Sequence, residues 1–183
     1  MTDAAAQYRR RADAFERLVA GAPDARWTSP SPCAGWTASD VVAHVVDFSA
    51  QVLRERAGVH DAPRFADCAT PRDAFRATRE AVERLLDDPT TAPEVVSYIQ
   101  WSISFDLPPH GWDLAMATGQ DPTIAPEELE LLWGSGDPEA HARAFGWQRA
   151  KGWYGPPVSV PDGAPLQDRV LGLLGRDPSW TAP

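Results

Sequence analysis

Apolar residues recur at helical spacing over residues 4–20, where Tyr8, Ala12, Phe15 and Val19 fall on one face and arginines and carboxylates occupy the rest. Gly21-Ala-Pro23 stops that helix. The stretch from Trp27 to Trp36 is dense in proline, serine and glycine and reads as a turn-rich connection. Thr37-Ala-Ser-Asp40 resembles a capping box, with aspartate in place of the usual glutamate or glutamine. The valine-rich run behind it predicts a second helix to about Ala57, and Gly58 to Thr70 is a polar loop. Pro71 suits the first turn of a third helix with Phe75, Thr78, Val82 and Leu85 on one face, ended by Asp87-Asp88-Pro89. A fourth helical region spans residues 93–119, with Val95, Val96, Ile99 and Ile103 apolar and Gly119 as its C-terminal cap.

No stretch alternates with the two-residue period of a strand, so the predicted class is all-α. Four helices of this length fit a four-helix bundle over residues 4–119. The last third predicts an irregular C-terminal extension, residues 120–183. It contains short helices at Pro126–Trp133 and at residues 138–151, an extended piece at 154–161, and a final helix over Leu166–Leu174 capped by Gly175. The 183 residues suit one domain.

The formal net charge of −9 argues against a nucleic-acid partner, which asks for a basic patch. Arg9-Arg10-Arg11 on the first helix reads as a solvated face, and so does His141 in the charged segment Glu139-Ala-His-Ala-Arg. No apolar run approaches the ~20 residues that span a bilayer, and the N-terminus lacks a basic-then-apolar signal. The expected location is cytoplasmic. Cys33 and Cys68 form no CxxC pair and read as two free thiols in a reducing compartment, with a reactive role for Cys33 near the positive end of the second helix as the alternative. Arg72, Arg76 and Arg79 read as solvated, with an anionic substrate group as the alternative.

The densest chemistry lies in Asp106-Leu-Pro-Pro-His-Gly-Trp-Asp113. Residues three and four apart share a helix face, so Asp106, His110 and Asp113 can point to one place. Two ligands at that spacing are half of a metal site. Pro108 and Pro109 stand against this, because proline lacks an N–H and clashes with the carbonyl four residues back. They predict a helix that starts near Pro108 or kinks there. His44, set among valines on the second helix, is either a hydrogen-bonded core residue or a ligand. In a bundle it can meet His110, with Trp36 and Trp112 as pocket walls.

Pro30-Ser-Pro-Cys-Ala-Gly-Trp-Thr-Ala-Ser-Asp-Val-Val-Ala-His44 and His110-Gly-Trp-Asp-Leu-Ala-Met-Ala-Thr-Gly119 resemble two helix motifs of an actinobacterial family. Tyr154-Gly-Pro-Pro-Val-Ser-Val-Pro161 and Leu174-Gly-Arg-Asp-Pro-Ser-Trp180 resemble its C-terminal tail. The family belongs to the DinB-like and mycothiol-dependent maleylpyruvate isomerase superfamily. The resemblance implies a DinB-like bundle with a divalent metal at one end, its ligands mapping onto His44, Asp106 and His110. It also implies a metal, zinc first and nickel or iron as alternatives, that activates a low-molecular-weight thiol such as mycothiol. The chain departs from the family at Leu107-Pro108-Pro109, where the motif normally reads as continuous helix.

Three functions follow. The first is a metal-dependent enzyme that activates a thiol or water for transfer to, or isomerisation of, a small organic substrate, with His44, His110, Asp106 and Asp113 in the catalytic set. Asp113 there takes the second ring N–H of a liganding histidine. The second is a metal-free acid–base or template enzyme on the same fold, serving secondary metabolism. The third is a non-catalytic protein that binds a metal or small molecule. The expected partner is a small-molecule substrate, with neither nucleic acid nor membrane, and the reading leaves room for a homodimer.

Overall fold

The computed structural model describes residues 3–134, 138–152 and 154–182; of Pro138, Glu139, Ala142 and Trp147 it describes the backbone alone. Their regular elements are helices, with no strand among the described residues beyond one isolated antiparallel bridge between Pro30 and Thr37. The chain divides into two compact units, one reaching Pro122 and the other running from Thr123 to Thr181.

The first unit is a bundle of α1 (Asp3–Gly21), α2 (Ala38–Ala57), α3 (Pro71–Asp87) and a long fourth element. That element is built from α4 (Pro93–Tyr98), a π turn (Ile99–Ile103) and α5 (Ser104–Thr118). α1 packs on α3 and α5, and α2 packs on the same two helices. Consecutive helices α1 and α2 are therefore diagonal, and α5 lies beside α2. Tyr8, Phe15, Val41, Val42, Leu53, Phe75, Ile99, Leu107 and Leu114 fill the centre. The Phe15 and Phe75 rings meet at 4.8 Å.

Local chemistry sets the ends of these helices. Thr37 Oγ1 accepts from Asp40 N at 3.2 Å, and Asp40 Oδ2 accepts from Thr37 N at 2.8 Å, which closes the capping box reciprocally. Thr70 caps α3 through Asp73 N, with Pro71 in the first turn. Gly58 and Gly119 end α2 and α5 in the left-handed conformation, at φ 68° and 74°.

At Pro108 the fourth element overturns the expectation of a helix start. The helix neither begins nor ends there; both prolines lie inside α5. They leave the carbonyls of Ser104 and Phe105 without their usual N–H donors. The π turn comes immediately before this stretch, with Ser104 N–H bonded to Ile99 O, five residues back. The buried ladder Val95, Ile99, Ile103, Leu107 steps by four residues. On an α-helix each such step overshoots a turn by about 40°. The extra residue of the π turn absorbs most of that drift and keeps the ladder on the core.

Arg11 also departs from the reading of a solvated basic run. It is 3% exposed, and its Nη1 donates to the buried Ser104 Oγ at 3.1 Å. Arg11 lies in register with Tyr8 and Phe15, three and four residues away, so the apolar face of α1 carries it inward.

The second unit holds α6 (Pro126–Trp133), α7 (Pro138–Ala150) and α8 (Leu166–Leu173). The buried face of α8 is Val170 and Leu171, joined by Leu174 after its end, while Leu166 and Leu173 are half-buried. At Gly172 a Cβ would meet Val158 O at 2.6 Å, where Val158 N–H donates to Gly172 O at 2.8 Å. Glycine there lets the extended segment lie against α8. His141 is buried rather than solvated, with Nε2 against the Trp133 carbonyl and its ring 5.0 Å from the Trp133 ring. The side chain of Glu139 lies outside the described residues.

Candidate metal centre

α2 presents His44, and the neighbouring α5 presents Asp106 and His110. His44 Nε2 lies 3.3 Å from Asp106 Oδ2, and His110 Nε2 lies 3.5 Å from Asp106 Oδ1. The two imidazole centroids are 4.7 Å apart. One donor atom from each of the three residues falls within 4.8 Å of the other two. The prolines between Asp106 and His110 therefore do not part them: with α5 unbroken, the four-residue spacing holds both on one face.

A buried carboxylate stands behind His110. Asp113 is fully buried, and its Oδ2 lies 2.9 Å from His110 Nδ1. As an acceptor, the carboxylate takes the Nδ1 hydrogen, which leaves the Nε2 lone pair facing Asp106 and His44. The same oxygen accepts from Cys33 Sγ at 3.2 Å. Cys33 thus belongs to this cluster. The turn that delivers it is compact. Trp36 N–H bonds to Cys33 O at 3.0 Å, Ser31 N–H bonds to Trp36 O at 2.8 Å, and Gly35 takes φ 80°. A positive φ at the third residue of a turn is what glycine accommodates without strain. The sequence signal was the Cys-Ala-Gly-Trp turn placed directly before a capped helix that carries a histidine.

Aromatic rings wall the site on the His44 side. Trp36 lies 5.0 Å from the His44 ring and stacks 6.1 Å from His110. Phe48, one turn along α2, stacks on His44 at 5.9 Å with planes 2° apart. Trp112 is buried and makes no ring contact with either histidine among the described residues. Two residues past His110 on a helix is the opposite face. Side-chain exposure falls from 35% at His44 through 16% at Asp106 to 8% at His110. His44, the most exposed of the three, is thus the one nearest solvent, beside Trp36 and Phe48.

The donor set fits a divalent cation. Two imidazoles and a carboxylate are a catalytic zinc set that keeps a position open, and they also suit iron on one face of an octahedron. Behind them, an imidazole held by a buried carboxylate is the usual support of a liganding histidine.

Arg72, Arg76 and Arg79 of α3 are committed elsewhere. Arg79 pairs with Asp13, Glu16 and Glu83 at 2.6, 2.5 and 3.0 Å. Arg72 pairs with Asp24 at 2.7 Å and lies over the Trp27 ring, and Arg76 pairs with Asp73 at 3.3 Å. His60 is exposed on its loop and Cys68 is half-buried. No helix among the described residues is long and apolar enough to cross a membrane.

Comparison with known proteins places the chain. Residues 8–115 match the model of the mycothiol maleylpyruvate isomerase N-terminal domain. The chain belongs to that family. Its fold is accordingly all-α and DinB-like, and residues 8–115 take in His44, Asp106, His110 and Asp113. Uncharacterized proteins from two strains of Mycobacterium tuberculosis, an actinobacterium, are each 30% identical over 187 residues. The alignment covers 92% of this chain and 95% of each relative. No solved structure matches.

Proposed function

We propose that this family member is a cytoplasmic, metal-dependent enzyme. It activates a low-molecular-weight thiol of the mycothiol kind, or water, for transfer to or isomerisation of a small organic molecule. The convergence of His44, Asp106 and His110 carries the reading, and membership of a family described by mycothiol and maleylpyruvate isomerase supports it. His44, Asp106 and His110 hold the cation, zinc first by donor type. When bound, the cation lowers the pKa of a coordinated thiol or water, so that a nucleophile exists at neutral pH. Asp113 acts as a positioning residue: it holds the proton on His110 Nδ1 and keeps Nε2 turned to the donors. Trp36 and Phe48 line the entry and suit a flat, apolar substrate whose binding displaces water there.

One observation favours a second reading. Asp106 reaches both imidazoles at 3.3 and 3.5 Å, an arrangement that moves protons on a bound substrate without a cation. Metal content per chain, measured after purification without chelator and again after zinc exchange, separates the two. The expected value is one per chain; a chain that stays metal-free after exchange removes the first reading.

A further inference from the structure

Asp113 Oδ2 receives two hydrogens, one from Cys33 Sγ and one from His110 Nδ1. The sulfur, nitrogen and oxygen of this trio lie within 4.8 Å of one another. Two X–H groups converging on one carboxylate oxygen mark a position where a cation can take the place of the hydrogens. Around a tetrahedral ion of zinc size, thiolate, imidazole and carboxylate donors sit about 3.3–3.7 Å apart. From 3.2 Å for sulfur to oxygen and 2.9 Å for nitrogen to oxygen, these two pairs need to separate by roughly 0.3–0.6 Å.

We propose that Cys33, His110 and Asp113 form a second cation site, selective for soft ions, that competes with the first site for His110. A thiolate donor selects soft cations such as cadmium or copper(I), and the His44–Asp106–His110 set has no sulfur. A neutral imidazole has one lone pair. With a cation at the first site, His110 donates from Nε2 and keeps its Nδ1 hydrogen on Asp113. With a soft cation at the second, His110 donates from Nδ1. Its ring proton then sits on Nε2, where Asp106 Oδ1 at 3.5 Å accepts it, and the Cys33 thiol proton leaves to solvent. His110 thus serves one site at a time. The competition rests on the first-site reading above; the thiolate site itself does not. Cys33 is half-buried, which opens a route to the trio from the turn that carries it.

The test is a cadmium(II) titration of the full chain carrying Cys68→Ser, which removes the other thiol, followed by thiolate-to-cadmium charge-transfer absorption in the ultraviolet. The expected result is a band that saturates at one equivalent. It persists when His44→Ala is added and disappears when Cys33→Ser is added, with circular dichroism showing each protein folded. No band in the Cys68→Ser protein overturns the proposal, and that arm needs no change at the site. A band that survives Cys33→Ser also overturns it, as does a band lost in folded His44→Ala protein. Zinc affinity of the Cys33→Ser protein reads the first site alone, so its absence there, with an intact cadmium band in the Cys68→Ser protein, would sink the earlier reading and leave this one standing.

Discussion

The first unit carries two polar clusters built around carboxylates, and they do opposite things. On one side, Arg79 fans out to Asp13, Glu16 and Glu83, while Arg9 reaches Asp87 at 2.6 Å. There each carboxylate faces a guanidinium, and the cluster ties α1 to α3. Partial burial disfavours the charge on Arg79, yet its hydrogen bonds with Asp13 and Glu83 outweigh burial and hold it more firmly protonated than an ordinary arginine. At the other cluster, Asp106 and Asp113 face imidazoles and a thiol. Imidazole and thiol surrender protons near neutral pH and guanidinium does not. Carboxylates beside arginine are neutralised in place; carboxylates beside histidine and cysteine remain available to a cation.

The comparison breaks most readily at His110. His110→Ala should weaken zinc binding by more than about 100-fold, since it removes a direct ligand where losing even a supporting partner costs 10–100-fold. Isothermal titration of folded protein measures this, and unchanged affinity would mean that the cluster is packing. If turnover disappears while a small-molecule ligand still binds, the chain is an enzyme rather than a sequestering protein. Asp113→Asn should come next, with about a 10–100-fold loss of zinc affinity and little change in helix content. Equal affinity in the two proteins would remove Asp113 from its positioning role.

Smaller effects sharpen the contrast from the other side. Thr37→Ala should lower stability by about 1 kcal/mol in urea unfolding, because it deletes the capping box at the start of the helix that carries His44. Its pH dependence has a definite sign. Thr37 hydrogen bonds, first from the side chain and then from the backbone, hold Asp40 below the ordinary aspartate value. That contribution is fully present above the unfolded aspartate pKa and is lost as pH falls through the lower folded value. The stability gap between wild type and Thr37→Ala should therefore narrow in acid, and a gap constant from pH 7 to 2 would contradict the linkage. Least of all, Arg79→Met should cost at most about 1 kcal/mol, diminishing with added salt, and should leave zinc affinity unchanged. A loss of metal in this variant would show that the two clusters communicate.

Much of this was readable along the chain. The capping box at Thr37, the proline start of α3 and the glycine ends of α2 and α5 all act within one turn, so residue type and spacing suffice. Asp106, His110 and Asp113 share a face for the same reason. The prolines suggested a helix start because their effect was judged on an ordinary α-helix. The four-residue ladder from Val95 to Leu107 already carried the mark of an inserted residue, and the π turn is its consequence. Arg11 was read by its charge when its register with Tyr8 and Phe15 was the stronger signal.

What no spacing rule reaches is the meeting of separate elements. His44 faces Asp106 because α2 packs beside α5, a matter of which apolar stripes bury one another across the whole bundle. Cys33 reaches Asp113 across eighty positions of chain because a turn closed by Gly35 swings it there. Helical geometry is local and repeats every few residues, so the chain states it openly. Packing between helices depends on the simultaneous fit of many side chains, and that information exists only once the bundle has formed.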